Sequence, residues 1–308
     1  MEENLMMDSI RRGFGFLKQA AGMAAKDPDL LKPSIYSLIV GGIATVILAA
    51  PTLLVAFAVG DSKIGQIVLI VMGFVTLFVE YTITYVFAGM TVRLVYDYLT
   101  QGDGRMDQAW ATVRRDFFDI VTLAAVSALV KLVENMANSR RGRQRNAAAS
   151  IAGVLASILN RVWTVATFFI LPAMILEDLD LAKGIKRATQ IIKDNLLLVA
   201  VTEIGVGTVV GLIGFLLFLL AVALGGGLFF LIGTLANWST AGIVIAAAAG
   251  ILIAAAIIIV VSVLSSYATT AYHTCLFVWA RDVEKARTRG VADSQVAAPA
   301  PIAALVAG

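Results

Sequence analysis

Polar and apolar positions along this chain vary on two scales. Short segments carry apolar side chains at helical spacing with basic residues on the opposite arc, and each leads into an apolar run long enough to cross a bilayer. The first short segment, 5–26, puts Met6, Ile10, Phe14, Leu17, Ala21 and Ala24 on one arc and Arg11, Arg12, Lys18, Gln19 and Lys26 on the other. The pattern predicts an amphipathic helix that lies in the membrane interface or packs on the inner surface of the protein itself. Asp27-Pro28 ends it. A second helix follows the turn signal Gly102-Asp103-Gly104, with Met106, Ala109, Trp110, Val113 and Phe117 at helical spacing and Arg114 close to the apolar arc. The third, 181–194, sets Leu181, Ile185, Ala188 and Ile192 against Lys183, Lys186, Arg187, Gln190 and Lys193.

Six apolar runs read as spans: 33–59, 64 to about 98, 117–133, 147–176, 196–224 and 243–279. The third is only just long enough. Gly207 and Gly211 stand in GxxxG spacing in the fifth, which suits close helix packing. Gly225, Gly226 and Gly227 are expected to break that run, leaving 228–242 as a re-entrant or surface-lying segment. The expected fold is all-α, a polytopic transmembrane bundle with three interfacial amphipathic helices. One transmembrane domain covers 1–289, and the Ala/Pro-rich tail 290–308 is expected to be disordered. An interfacial helix, a span, a loop and a returning span recur over 5–98, 103–176 and 180–280. Lys26-Asp27, Arg115-Asp116 and Lys193-Asp194 stand at equivalent junctions of these three repeats.

Composition settles the solvent, since 59% hydrophobic residues, 15% charged residues and a mean hydropathy of +0.88 cannot be covered by a soluble surface. A net charge of +3, with its residues scattered, excludes a nucleic-acid partner. The single cysteine, Cys275, excludes an intrachain disulfide, and the single histidine, His273, leaves too few soft ligands for zinc or haem, so no cofactor is expected. No cleavable signal peptide is evident in 1–32, where charges interrupt every apolar stretch. Five Lys and Arg precede the first span and four stand at each later inner position, which predicts an inner or plasma membrane protein with both termini cytoplasmic. The arginine-rich stretch 138–145, NSRRGRQR, falls on the assigned outer side and opposes that topology. Arg11, Arg12, Lys18, Lys183, Lys186, Arg187 and Lys193 are expected to contact anionic lipid headgroups.

Three charges stand firmly within the membrane, away from the span ends: Glu80, Arg161 and Glu203. Counted by helical rise they fall about 17 to 24 Å from the outer face, in one slab of the membrane. Unpaired, each is costly in lipid. Either Arg161 pairs with one carboxylate while the other is protonated or holds a cation, or the three lock the bundle. His273 is a pH sensor or a polar anchor, and Glu177, Asp178 and Asp180 hold a cation or cap the helix from Leu181. Pro172 reads as the exit of the fourth span.

Trp163, Phe168-Phe169, Pro172 and Glu177, followed by Ala182, Ile185, Lys186 and Arg187, resemble a family of uncharacterised prokaryotic integral membrane proteins. More distantly, they resemble the membrane domain beside some glycerophosphodiester phosphodiesterases. The similarity is greatest over 160–200 and looser over 8–60. The resemblance implies a six-span helical fold without an assigned activity, and it carries over no catalytic residue. Walker A, Rossmann, HExxH and nucleophilic-serine patterns are all missing, so an enzyme is not expected. Two roles follow. One is a non-catalytic scaffold or assembly protein that binds membrane lipids and either a second copy or another membrane protein. The other is a transporter of a small solute, proton or ion that uses the intramembrane carboxylates. The lack of a long polar stripe favours the scaffold, and an enzyme acting on lipids comes third.

Overall fold

In lipid a backbone must satisfy its own N–H and C=O groups, so each apolar run has to become a helix. The computed structural model describes residues 2–59, 62–143, 147–194, 196–292 and 295–306, and among these there is no strand. Helices α1 (Glu2–Lys26), α2 (Lys32–Val59), α3 (Lys63–Gln101), α4 (Met106–Arg115) and α5 (Phe117–Arg143) make up the first half. Helices α6 (Ala147–Glu177), α7 (Leu181–Asp194), α8 (Leu196–Leu235), α9 (Thr240–Thr288) and α10 (Ala300–Val306) complete the chain. A 3-10 turn, Pro28–Leu31, joins α1 to α2, and Asp27 caps it through its side chain.

Among the described residues, five helices are long and apolar enough to cross a membrane: α2, α3, α6, α8 and α9. The expected third span falls in α5, which is not one of the five. It packs on α3 and α6, and it carries Asp119 and a Lys131–Glu134 ion pair of 2.8 Å. The main neighbours are sequential hairpins, α2 with α3, α5 with α6 and α8 with α9, while α3 and α9 also meet across the bundle.

The core sits in the inner part of the bundle, built from the last turns of α3 and α6, the last third of α9, and α1, α4 and α7 packed beneath them. Each amphipathic helix packs one side on the protein, but the buried side is offset from the expected arc, of which Phe14, Ala21, Trp110 and Ile185 stay exposed. Phe16 of α1 is fully buried, edge-on to Tyr272 of α9 at 5.4 Å, and the Tyr267 hydroxyl donates to the Ala20 carbonyl at 3.2 Å. Ala109 and Val113 of α4 are buried, as are Ala188 and Ile191 of α7. Trp110 stays half-exposed with the Arg114 guanidinium 4.9 Å above its ring. The outer parts of α2, α3, α8 and α9 are the reverse, with Ile47, Leu54, Phe57, Ile64 and Leu252 all exposed.

Four expectations change. The three glycines do not break the fifth run, because α8 continues to Leu235 and only residues 236–239 turn before α9. Gly225 crosses Gly250 so closely that a Cβ on it would lie 2.7 Å from the Gly250 carbonyl oxygen, so the glycines serve a close helix crossing and not a break. Pro172 is not the exit of its span, since α6 runs on to Glu177 with the ring buried. Helix α5 extends through Arg143, so residues 138–143 of the 138–145 stretch are helical and not loop. The tail 290–308, expected to lack structure, contains α10, which packs on α1 and fully buries Ile302. A short apolar turn next to prolines carries too little periodicity to be recognised in sequence.

Candidate functional site

Of the three residues singled out by their cost in lipid, the two whose side chains are described, Glu80 and Arg161, do not pair. Glu80 lies on the α3 face turned towards α2, where the Thr45 hydroxyl donates to it at 2.5 Å and Gly41 leaves room for its second oxygen. Arg161 on α6 is exposed, and among the described residues it forms no ion pair with Glu80. The side chains of Glu203 and Arg12 lie outside the described residues. Arg161 stands ten residues, about 15 Å, from Ile151 and sixteen, about 24 Å, from Glu177 along this span. Ile158, Leu159 and Val162 surround it on the exposed face, each more than half exposed.

At the inner end the charges are met. The Arg187 guanidinium binds Glu177 of α6 through two nitrogens, at 2.8 and 3.2 Å, and Glu284 of α9 at 2.5 Å. Glu284 and then Glu177 hold its pKa above the ordinary arginine value, against the opposing effect of burial. Arg187 is therefore a tie between three helices, unlike Lys183, Lys186 and Lys193 of the same helix, which are exposed as are Arg11 and Lys18 of α1. Arg93 binds the buried Asp97 at 3.0 Å and Gln108 at 2.8 Å, fixing α4 beneath α3. Asp27, just past the end of α1, accepts from the Gly104 backbone N–H at 2.7 Å and ties that end to the turn before α4. The acidic cluster is likewise divided among cations: Asp178 meets Arg115 at 3.1 Å, and Asp180 accepts from the Lys183 N–H at 2.9 Å as a helix cap.

Between these regions α3, α6 and α9 enclose a cavity of about 290 Å³. Helix α9 lines it with Ser265, Ser266, Thr269, Thr270 and His273, and α3 with Thr84 and Tyr85. From α6 come Thr167, Phe168 and Pro172. His273 is 4% exposed, stacks on Phe168 at 3.9 Å, and its Nδ1 lies 2.7 Å from the Thr269 carbonyl oxygen. A carbonyl only accepts, so Nδ1 carries a proton. Tyr85 donates to Ser127 at 2.9 Å, and the Trp163 indole donates to the same oxygen at 2.8 Å, so one α5 hydroxyl draws α3 and α6 together.

Residues 67–287 match a family of unknown function, DUF6159. The chain belongs to this family. The match starts inside α3 and ends near the close of α9, so it takes in the cavity, Arg161 and the Arg187 tie, and leaves out α1 and α2. It agrees with the resemblance to an uncharacterised family, and its description makes no mention of glycerophosphodiester phosphodiesterases. No curated protein matches the chain. Sequence reasoning missed the cavity although SSYATTAYH shows it: positions 265, 266, 269, 270 and 273 form one helical face. Hydroxyls and an imidazole carry no formal charge, and a search for charges inside the spans passes over them. A long polar stripe is therefore present, on α9.

Proposed function

We propose that this membrane protein is a non-catalytic interaction protein, which holds a partner helix against the outward face of α6. The observation that supports the reading is the placement of Arg161, exposed on an apolar face and remote from both ends of its span. A guanidinium at such depth costs about 2.5–3.5 kcal/mol in lipid, and a carboxylate on an adjoining membrane helix removes that cost. The intramembrane acid of the same chain that the structure describes, Glu80, is already bonded to Thr45. The exposed lysines of α7 and α1 add a basic surface suited to anionic headgroups, and both termini lie on the cytoplasmic side of the plasma membrane, a placement in which α5 crosses as a sixth helix beside α3 and α6.

A photoactivatable amino acid in place of Val162 tests this in native membranes. Cross-linking should give one discrete protein adduct, either a dimer or a single heterologous partner, and Arg161→Leu should abolish it. Lipid adducts alone, unchanged by Arg161→Leu, would refute the reading. The hydroxyl-lined cavity supports a second reading, a transporter of a small solute, which predicts flux in liposomes that Thr270→Val reduces and Arg161→Leu leaves intact.

A further inference from the structure

The cavity between α3, α6 and α9 is rich in acceptors and has no carboxylate, lysine or arginine in its lining. Thr270 donates its hydroxyl proton to the Ser266 carbonyl at 3.0 Å, Thr167 donates to Thr164 at 2.7 Å, and Tyr85 donates to Ser127. Each of these oxygens keeps lone pairs to offer. Pro172 adds to the set, because a proline has no N–H to give to the carbonyl four residues back, and that residue is Phe168 on the same cavity wall. Ala88, Val92 and Leu171 complete the lining with apolar surface, and its single titratable nitrogen base is His273, whose Nδ1 proton is already given to Thr269.

We propose that this cavity binds an uncharged hydrogen-bond donor, an alcohol or amide headgroup on an apolar tail, which enters sideways from the bilayer. The donor requirement follows from the acceptors. Neutrality follows from the lining, since an ammonium would be desolvated there with no carboxylate to meet it, and a phosphate would find His273 alone, with no lysine or arginine, against its charge. The sideways path follows from position: Thr84 and Ser266 at the mouth are exposed, whereas Thr167 and His273 are buried. Thr84 lies nine residues above Arg93, and Phe168 nine above Glu177, so the mouth stands about 13 Å into the membrane from the inner belt of ion pairs. Its volume of about 290 Å³ equals roughly ten water molecules, enough for a headgroup and the first carbons of a tail.

The test uses purified protein in nanodiscs with hexadecanol carrying a diazirine near the hydroxyl, and hexadecyl phosphate carrying the same group. The alcohol should label the 265–273 stretch of α9 or the facing part of α6, with competition by unlabelled hexadecanol or hexadecanamide, and the phosphate should not. Thr270→Val, which keeps volume and removes an acceptor, should lower the labelling about three- to tenfold, the worth of one hydrogen bond. Ala88→Leu, which fills the cavity, should abolish it, and each variant is scored only at an unchanged melting temperature. Equal labelling by alcohol and phosphate, or labelling indifferent to both substitutions, would overturn the site. Competition by water-soluble erythritol as strong as by hexadecanol would overturn entry from the bilayer.

Discussion

The inner and outer parts of this bundle are made from the same long helices and differ in what meets their side chains. Inside, Phe16, Phe169, Tyr272 and Phe277 are fully buried, and Arg187 and Arg93 tie α6, α7 and α9, and α3 and α4, into one block. Outside, the described parts of α2 and α8 leave most of their apolar side chains exposed, and polar contacts are sparse: the Thr45–Glu80 hydrogen bond, the Lys131–Glu134 ion pair and an exposed Arg161. Water on the inner side rewards burial and permits charge pairs at the rim. Lipid on the outer side gives no hydrophobic return for packing apolar helices together, so only close backbone contacts and polar ties bind them. The inner block is thus self-sufficient, and the outer part leaves surface for something else.

The same substitution made in each part measures the difference. Phe16→Ala should cost about 3–5 kcal/mol of stability, because a fully buried ring leaves a cavity. Phe57→Ala, at 88% exposure, should cost less than about 0.5 kcal/mol. Thermal unfolding in a mild detergent reads both, and comparable losses would show that the outer face is packed. Arg187→Leu should follow at about 2–3 kcal/mol, since it leaves Glu177 and Glu284 facing each other without their cation. Adding Glu177→Gln and Glu284→Gln should recover part of that loss. Gly225→Ala should cost about 1–3 kcal/mol by forcing α8 from α9 at the Gly250 carbonyl. Gly226→Ala, with nothing near its Cβ position, should be neutral or gain up to about 1 kcal/mol of helix propensity. A reversal of that order would move the α8–α9 crossing.

Much of the helical layout was legible, since each apolar run and amphipathic arc obeys a period set by the backbone. The expected 181–194 helix matches α7 in both bounds, with Asp180 as cap before it. What escaped depends on partners distant in sequence. Gly225 to Gly227 read as a break until Gly250 is placed against them. Arg187 looks like its lysine neighbours until Glu284, nearly a hundred residues on, arrives beside it. The site residues divide in the same way. Charges declare themselves singly by their cost in lipid, so Glu80 and Arg161 were visible, but their surroundings were not. The cavity is a property of three helices, and each contributes residues that alone look like ordinary hydroxyls bonded back to their own helix.

The claim that the outer face of α6 is covered in the membrane can be put to one direct measurement, the oxygen accessibility of a nitroxide at Val162 in native membranes. The side chain is 62% exposed in the isolated chain. A partner helix recruited by Arg161 predicts low collision rates with oxygen, rising to the value of a lipid-facing site when Arg161→Leu is introduced. Full lipid-like accessibility with Arg161 in place would contradict the account.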